Sequence, residues 1–367
     1  MDVRLSAGDR GHHLDAFRVA LAAHKAGTAS RPLRVSWFGD SLTADDHLTS
    51  ELRKRLQALV GDGGPGFVFA APPHPYCQLQ AIGRVVSEGW TSYGVSNVVP
   101  PDHLLGLGGS AETDETGGTI KLAPVGAVRS IDLHYLAQPH GGALEIAIDG
   151  KVATSIRTAA DHKQGAFAHV DVPTGAKRIE LRAAGHVRLF GETLEAKTGA
   201  VVDNLGVVNA TAKGMRTGDL DDHLKNQLAH RAPDLFVVMY GTNEAEWLAP
   251  RGAGMAEHEK LFGELLATMR AAAPEASCLV ISPLDQLDWR DEKMPPRESI
   301  PAMVEAQHRA ATEHGCAFWS VYDWMGGKGS SRTWQSRGWV VKDFQHPTSE
   351  GAARIAEALY EGLVADR

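Results

Sequence analysis

The spacing of hydrophobic and polar residues changes twice along the chain, and the first stretch predicts a strand followed by a helix. Residues 33–38 predict a strand whose apolar residues are Leu33, Val35, Trp37 and Phe38 and which ends at Gly39-Asp40-Ser41. Leucines then recur at spacings of four and three residues, as one face of a helix requires, at Leu48, Leu52, Leu56 and Leu59. A Gly-rich and Pro-containing segment, residues 61–66, ends this helix.

Between residues 66 and 199 the hydrophobic pattern has a period of two, which predicts antiparallel strands. The clearest alternating sets are Ile131, Leu133 and Tyr135, and then Leu144, Ile146 and Ile148. Alternation with a polar outer face is typical of antiparallel sheets. Asp149-Gly150 follows the second set and predicts a hairpin turn. We therefore expect a β-sandwich or jelly roll in this part of the chain.

From residue 200 onward, apolar strands alternate with helical patterns. The predicted strands lie at residues 200–203, 235–240, 277–282 and 317–322. Continuous apolar runs are typical of parallel strands that are covered on both faces. The expected fold class is therefore α/β, a three-layer doubly wound parallel sheet with an inserted β-sandwich or jelly-roll domain. Residues 1–65 and 200–367 are expected to form one discontinuous domain, and residues 66–199 the inserted one.

Polar clusters follow the predicted parallel strands, at the edge where such sheets bind ligands. These clusters contain Ser41, then Gly206 and Asn209, then Asn243, and finally Asp343 and His346. Because the carboxyl ends of parallel strands share one edge, we expect these residues to converge. They supply what acyl transfer needs: Ser41 would attack, His346 would take its proton, and Asp343 would orient the imidazole.

The same clusters contain hydrogen-bond donors that could form an oxyanion hole. Its candidate donors are the backbone N–H of Ser41, a backbone N–H of Gly206 or Asn209, and the side-chain amide of Asn243. The sequence leaves the choice between Gly206 and Asn209 open. Asp40 is expected to orient the turn before Ser41 and to take no part in the chemistry.

Charge and the length of apolar runs limit the partners. A net charge of −8 over 367 residues argues against a nucleic-acid partner, since neutralising phosphates needs a basic face. No apolar run approaches the about 20 residues that cross a bilayer, so no membrane span is expected. The opening Met1-Asp2-Val3-Arg4 is unlike a secretory signal, which leaves the compartment open. The oligomeric state is open as well.

No metal ion and no cofactor are expected from the sequence. The histidines are scattered, without the spacing of an HExxH motif. Cys278 and Cys316 lie in predicted core strands and are expected to be buried free thiols. Cys77 has no CxxC partner and receives no role.

Three ordered motifs resemble those of the SGNH, or GDSL-type, hydrolase superfamily. Gly-Asp-Ser-Leu-Thr at 39–43, Gly-Thr-Asn-Glu at 241–244 and Asp-Phe-Gln-His-Pro at 343–347 are similar to its blocks I, III and V. The resemblance implies a flavodoxin-like three-layer fold and serine ester hydrolysis without a metal. It implies that Ser41 is the nucleophile and His346 the base. It also implies that Asp343 is the partner of His346 and that Asn243 is an oxyanion donor. Block II departs from the usual pattern, because Asn209 stands where relatives have a glycine.

A β-domain placed after the first strand and helix is similar to bacterial SGNH esterases that remove O-acetyl groups from cell-wall glycan. The resemblance therefore implies an acylated small molecule or glycan as substrate and a periplasmic or secreted location. The inserted domain resembles a carbohydrate-binding module in pattern, and we expect it to present Trp90, Tyr93 or His74 to a sugar. Two alternatives stay open: an O-acyltransferase acting on a glycan, and a non-catalytic glycan-binding protein on the same scaffold.

Overall fold

The computed structural model describes residues 12–96, 98–114, 117–217 and 221–365. Its strands are β1 (Leu33–Gly39), β2 (Gly66–Val68), β3 (Ile82–Val86), β4 (Thr91–Gly94), β5 (Gly109–Thr113), β6 (Thr119–Pro124), β7 (Ser130–Ala137), β8 (Ala143–Ile148), β9 (Lys151–Arg157), β10 (Gln164–Asp171), β11 (Ile179–Ala184), β12 (Val187–Glu195), β13 (Ala200–Gly206), β14 (Leu235–Met239), β15 (Ser277–Ile281) and β16 (Ala317–Trp319). Its helices are α1 (Asp15–Lys25), α2 (Ser41–Ala44), α3 (His47–Val60), α4 (Ala212–Thr217), α5 (Asp221–Arg231), α6 (Ala253–Ala272), α7 (Ser299–Glu313), α8 (Val321–Met325), α9 (Ser330–Ser336) and α10 (Ser349–Val364).

A five-stranded parallel sheet has the strand order β13-β1-β14-β15-β16. Numbered along the chain, this order is 2-1-3-4-5, that of flavodoxin-like doubly wound folds. The order reverses between β1 and β14, so the crevice at their carboxyl ends is the topological switch point where such folds bind ligands. The fold class expected from the sequence is confirmed.

Hydrophobic cores cover both faces of this sheet. Trp37 belongs to one core and its neighbour Phe38 to the other, because successive side chains of a strand point to opposite faces. Leu52 of α3 packs into the first core, and Phe262 of α6 packs into the second. Burial on both faces explains why β14 is a continuous apolar run rather than an alternating one.

Two antiparallel sheets account for the period-two region. One has the order β10-β7-β12-β5-β4, with β2 paired to β12, and the other has the order β3-β6-β11-β8-β9. Leu133 and Leu189 of the first sheet share a buried core with Ile146 and Leu181 of the second. The hairpin turn is at Asp149-Gly150, where both residues have positive φ, as a type I′ turn requires. The period-two pattern thus corresponds to two sheets packed around one core.

We propose the division of the chain that the sequence suggested, into residues 1–65 with 200–367 and residues 66–199. Strand β2 starts at Gly66, and the last antiparallel strand, β12, ends at Glu195. Residues 1–11, 97, 115–116, 218–220 and 366–367 of these segments lie outside the described part. In the described part, no helix is long and apolar enough to cross a membrane.

Buried polar contacts join the two segments. Arg231 of α5 donates from Nε to Asp203 Oδ2 over 2.7 Å and from Nη1 to Glu195 Oε1 over 2.6 Å. The backbone N–H of Phe67 donates to Asp203 Oδ1 over 2.8 Å. Because Arg231 and Asp203 are almost fully buried, each needs the other to offset the cost of leaving water. The β-rich segment is therefore held against the parallel sheet by charged as well as apolar contacts.

The expectation of free thiols is wrong for two of the cysteines. Cys278 and Cys316 form a disulfide with a Cα–Cα distance of 4.7 Å. Strands β15 and β16 pair in parallel with Leu279 opposite Ala317, which places the two preceding cysteines side by side. Burial of each cysteine was predicted correctly, but their adjacency depends on the register of two strands that the sequence does not give. Cys77 is a buried free thiol.

Candidate active site

Ser41 lies on the turn between strand β1 and helix α2. The strand ends at Gly39, and Ser41 is the first residue of the helix. Asp40 caps the helix, accepting a hydrogen bond at Oδ1 from the Leu42 N–H over 3.0 Å. A Cβ atom at position 39 would lie 2.1 Å from Thr43 Oγ1, so this turn requires glycine. Gly39 and Asp40 therefore shape the turn, and the turn places Ser41 at the switch point of the sheet.

Ser41, His346 and Asp343 form a continuous chain of hydrogen bonds. Ser41 Oγ lies 2.8 Å from His346 Nε2, and His346 Nδ1 lies 2.8 Å from Asp343 Oδ2. The loop that carries Asp343 is tight, because its Oδ1 accepts hydrogen bonds from the backbone N–H groups of Gln345 and His346. Phe344 has a φ of 59°, which turns the chain back between the two residues. An aspartate three residues before a histidine reaches the imidazole in this way.

Charge around the imidazole favours its protonated form. Burial alone lowers the pKa of His346, but its hydrogen bond to Asp343 and the negative charges of Asp343 and Asp40 outweigh burial and raise the pKa above its ordinary value. Burial also acts on Asp343, where it raises the pKa. Hydrogen bonds from His346 and Gln345 outweigh it and hold the pKa of Asp343 below its usual range. The aspartate is therefore ionised at neutral pH and able to stabilise an imidazolium.

The candidate oxyanion donors differ in what they already bind. The Gly206 N–H is buried and donates to Asn204 Oδ1 over 3.0 Å. Asn209 is exposed, has a φ of 63° and lines the same cavity as Ser41. Asn243 also lines this cavity, and its Nδ2 donates one hydrogen to Ala210 O over 2.9 Å. Since an amide nitrogen carries two hydrogens, this contact fixes the Asn243 side chain and leaves its second hydrogen for a ligand.

Two acidic side chains are buried beneath the site. Burial raises the pKa of Asp40 to about 6 and that of Glu244 to about 7. Glu244 Oε1 accepts a hydrogen bond from the Ala212 N–H over 2.9 Å. This bond ties the segment that follows Asn209 to the segment that carries Asn243. The two acids hold the loops of the site in place from below.

A cavity of about 910 Å³ opens at the carboxyl edge of the parallel sheet. It is lined by Ser41, Asp45, His47, Tyr76, Val208, Asn209, Asn243, Glu246, Trp247, Val341, Asp343, Gln345, His346, Pro347, Thr348 and Ser349. Its size is in the range of small-molecule sites, about 300–1,000 Å³. The structure therefore brings Ser41, Asn209, Asn243, Asp343 and His346 into one cavity, whose lining does not include Gly206.

The aromatic residues expected from the inserted segment are placed differently. Trp90 packs against the core of the antiparallel sheets, and Tyr93 packs against the core that also covers the parallel sheet. His74 lies behind Tyr76, with the two rings stacked at 5.5 Å. Tyr76 itself is 71% exposed and lines the cavity, as does Trp247, which is 61% exposed. Sequence reasoning missed Tyr76, because nothing in its neighbourhood distinguishes it from an ordinary loop residue.

Comparisons with known proteins show what the chain is similar to. The model of the GDSL-like lipase/acylhydrolase family matches residues 174–354. A solved structure of a peptidoglycan O-acetylesterase has 25% sequence identity and a TM-score of 0.81, covering 95% of this chain and 95% of that one. A family two carbohydrate esterase from Cellvibrio japonicus has 12% identity and a TM-score of 0.31, covering 77% and 98%. The last of these similarities is too weak to add to the argument.

A curated relative matches a short stretch only. It is a 4-coumarate–CoA ligase from Halorhodospira halophila, 31% identical over 81 residues, which are 21% of this chain and 21% of that protein. The chain thus spans about a fifth of the length of that relative.

Proposed function

Because the chain belongs to the SGNH, or GDSL-type, hydrolase superfamily and is an ester hydrolase, we propose that it removes O-acetyl groups from a cell-wall glycan. The reaction proceeds through an acyl-enzyme on Ser41. The observation that carries the proposal is the hydrogen-bonded chain from Ser41 Oγ through His346 to Asp343, with both contacts at 2.8 Å. This arrangement performs nucleophilic catalysis on esters in unrelated folds.

In the first step Ser41 Oγ attacks the acetyl carbonyl carbon, and its proton moves to His346 Nε2. Asp343 stabilises the imidazolium and keeps Nδ1 protonated, so that Nε2 is the free base before attack. The carbonyl oxygen becomes an oxyanion, which accepts hydrogen bonds from the Ser41 N–H, the Asn209 N–H and Asn243 Nδ2. We assign the second donor to Asn209 because the Gly206 N–H already binds Asn204.

The tetrahedral intermediate collapses when the carbon–oxygen bond to the sugar breaks. His346 gives its proton to the leaving sugar oxygen, so that the glycan departs as a free hydroxyl and the acetyl group stays on Ser41. Water then repeats the sequence: His346 takes a proton from it, the hydroxide attacks, and acetate leaves as Ser41 regains its proton. Each half of the reaction uses the same base and the same donors, which is why a single site serves both.

A glycan is the proposed alcohol for two reasons. The structure that matches over 95% of the chain is that of a peptidoglycan O-acetylesterase. The cavity also carries two exposed aromatic rings, Tyr76 and Trp247, which offer flat apolar faces to a sugar ring.

The test is the Ser41→Ala variant, measured as acetate released from O-acetylated peptidoglycan and as hydrolysis of p-nitrophenyl acetate. Removal of a nucleophile from such a triad lowers kcat by about 10⁴-fold or more. Ser349→Ala is the matched control, since this serine lines the same cavity but contacts His47 instead of His346. We expect the control to stay within a few-fold of the native enzyme. A folded Ser41→Ala enzyme with native turnover would overturn the assignment.

A further inference from the structure

Three potential metal-binding side chains meet where the β-rich segment packs on helix α5. Asp132 and His134 lie on strand β7, and His230 lies in the last turn of α5. One ligand atom of each lies within 4.8 Å of the ligand atoms of the other two. None of the three lines the cavity that contains Ser41. No metal site was expected from the sequence, because its histidines are scattered without the spacing of an HExxH motif.

Strand period and helix packing explain why these residues meet. Asp132 and His134 are two residues apart, so they point to the same face of the sheet. Helix α5 packs on this face beside β10, where Phe167 stands in register with His134. The Phe167 ring stacks on the His230 ring at 3.5 Å, with 4° between the planes. The position of the His230 imidazole is therefore fixed by packing, as a preformed site requires.

His134 has the tautomer and the free electron pair of a metal ligand. Its side chain is fully buried, and its Nδ1 lies 2.9 Å from Gln227 Oε1. An amide oxygen only accepts hydrogen bonds, so Nδ1 carries the proton and Nε2 carries the lone pair. Among the residues that the structure describes, Nε2 of His134 has no hydrogen-bond partner. A buried nitrogen of this kind needs a partner, and histidines that bind metals typically donate the other ring N–H to an oxygen, as Nδ1 does here to Gln227.

The other two residues supply the remaining ligands. His230 Nε2 lies 2.5 Å from Asp132 Oδ2. Two imidazole nitrogens and one carboxylate form a donor set that suits divalent first-row transition metals better than Mg²⁺ or Ca²⁺, which prefer oxygen.

We propose that Asp132, His134 and His230 bind a Zn²⁺ ion, or a similar divalent transition-metal ion, that fastens strand β7 to helix α5. On binding, His230 is the neutral tautomer with its proton on Nδ1, and its Nε2 and an Asp132 oxygen bind the metal in place of the hydrogen bond between them. Water completes the coordination. Because β7 belongs to the β-rich segment and α5 to the other segment, the ion holds the two together. It takes no part in ester hydrolysis, so the proposal does not depend on the function assigned to Ser41.

The test is a calorimetric Zn²⁺ titration of the full chain after treatment with EDTA and buffer exchange, paired with thermal unfolding. We expect one tight equivalent of Zn²⁺ and a Tm that rises with Zn²⁺ concentration, since an ion that binds only the folded state stabilises it. Mg²⁺ and Ca²⁺ at the same concentrations should leave Tm unchanged. Co²⁺ should give a visible absorption band that Zn²⁺ displaces.

Variants decide whether this equivalent belongs to the proposed site. Asp132→Asn and His230→Ala should each weaken binding at least tenfold and remove the shift in Tm. His186→Ala is the matched control. The His186 side chain is 32% exposed, as is that of His230, and it also contacts a carboxylate, that of Glu112. It differs from His230 in having no second imidazole beside that carboxylate. The control should bind Zn²⁺ as the native protein does.

Two results would overturn the proposal. One is the absence of a saturable single equivalent in the native protein, which needs no variant and holds even if a variant fails to fold. The other is equal affinity in the native protein and in folded Asp132→Asn and His230→Ala variants, which would mean that the ion binds elsewhere.

Discussion

At the scale of single residues, the charge around His346 determines the pH at which the enzyme works. The base must be neutral to accept the Ser41 proton, and the net effect of burial and of the charges near His346 is a pKa above the ordinary value of about 6.5. We therefore expect kcat/KM for an uncharged ester to rise with pH, with a midpoint above about 6.5. A pH profile of p-nitrophenyl acetate hydrolysis, corrected for spontaneous hydrolysis, measures it.

Asp343→Asn provides the control for this midpoint. The variant removes the charge and changes the hydrogen bond that raise the pKa of His346, so the midpoint should fall and kcat should drop. A flat profile between pH 5 and 8 in the native enzyme, or a midpoint unmoved in Asp343→Asn, would contradict a histidine base held by this aspartate.

Asn243 and Asn209 allow the oxyanion hole to be tested one donor at a time. Asn243→Ala removes a side-chain donor that acts on the charge of the transition state, so kcat should fall about 10²- to 10³-fold with little change in KM. Asn209→Gly keeps the backbone N–H and suits the φ of 63°, so its kcat should stay close to native. Steady-state kinetics of both variants on p-nitrophenyl acetate give the comparison. A KM effect alone in Asn243→Ala would make this residue a substrate contact.

The sequence predicted which residues lie together in this cavity, but it left open which backbone N–H group belongs to the oxyanion hole. Ser41, Asn243, Asp343 and His346 all line one cavity. The first two follow the carboxyl ends of β1 and β14, and the last two lie in the loop that precedes helix α10. The choice between Gly206 and Asn209 depends on which backbone N–H is already bound. That is a property of the folded loop, where Asn204 turns its side chain to Gly206, and residue types do not reveal it.

At the scale of elements, Asp40 links the stability of helix α2 to the position of Ser41. Asp40→Ala removes the cap and should cost about 0.5–2 kcal/mol in the free energy of unfolding, together with a loss of kcat as the turn loosens. Asp40→Asn keeps a capping oxygen and should stay close to native in stability. It should still lower the midpoint of the pH profile, because the Asp40 charge raises the pKa of His346.

Urea unfolding and the pH profile of both Asp40 variants separate these roles. Equal loss of stability in the two variants would mean that the charge of Asp40, and not its hydrogen bond to Leu42, supports the turn. An unchanged midpoint in Asp40→Asn would remove Asp40 from the electrostatics of the base.

The period of the hydrophobic residues predicted the strands and helices, because that period depends only on which faces of one element are buried. Contacts between elements could not be predicted, because they depend on how the strands are aligned with each other. Ile131 and Leu133 alternate with polar neighbours because β7 has one face in the apolar core, and β14 is continuously apolar because both of its faces are covered. The Cys278–Cys316 disulfide and the approach of His230 to His134 follow from how strands and helices are placed against each other. Nothing within 11–18 residues of either cysteine encodes its partner.

At the scale of the whole molecule, the placement of the β-rich segment decides which of its residues reach the substrate. The chain leaves the parallel sheet after α3 and returns at the start of β13, where Ala200 lies opposite Leu33 and residue 62 bridges to Ala200. Both junctions therefore lie at the amino edge of the sheet, whereas Ser41 follows its carboxyl edge. Which side chain then faces Ser41 depends on how the segment packs, and that packing places Trp90 against a core and exposes Tyr76 at the cavity. A pattern of apolar residues cannot distinguish an aromatic ring in a core from one in a cleft.

Tyr76 and Trp247 should therefore determine the choice of alcohol and leave the chemistry of the acyl group unchanged. Each is exposed at the cavity and neither contacts His346 or Asp343 by a hydrogen bond in the described structure. We expect Tyr76→Ala and Trp247→Ala to raise KM for O-acetylated peptidoglycan about fivefold or more, since stacking on an aromatic ring is worth about 1 kcal/mol or more. Hydrolysis of p-nitrophenyl acetate should stay within a few-fold of native, because so small an ester makes few contacts away from the reacting group.

Trp289→Ala is the matched control, because the Trp289 ring is 60% exposed but does not line the cavity. This variant should hydrolyse both substrates as the native enzyme does. If Tyr76→Ala and Trp247→Ala change the two substrates in the same proportion, the aromatic residues support the catalytic loops and the β-rich segment does not select the glycan.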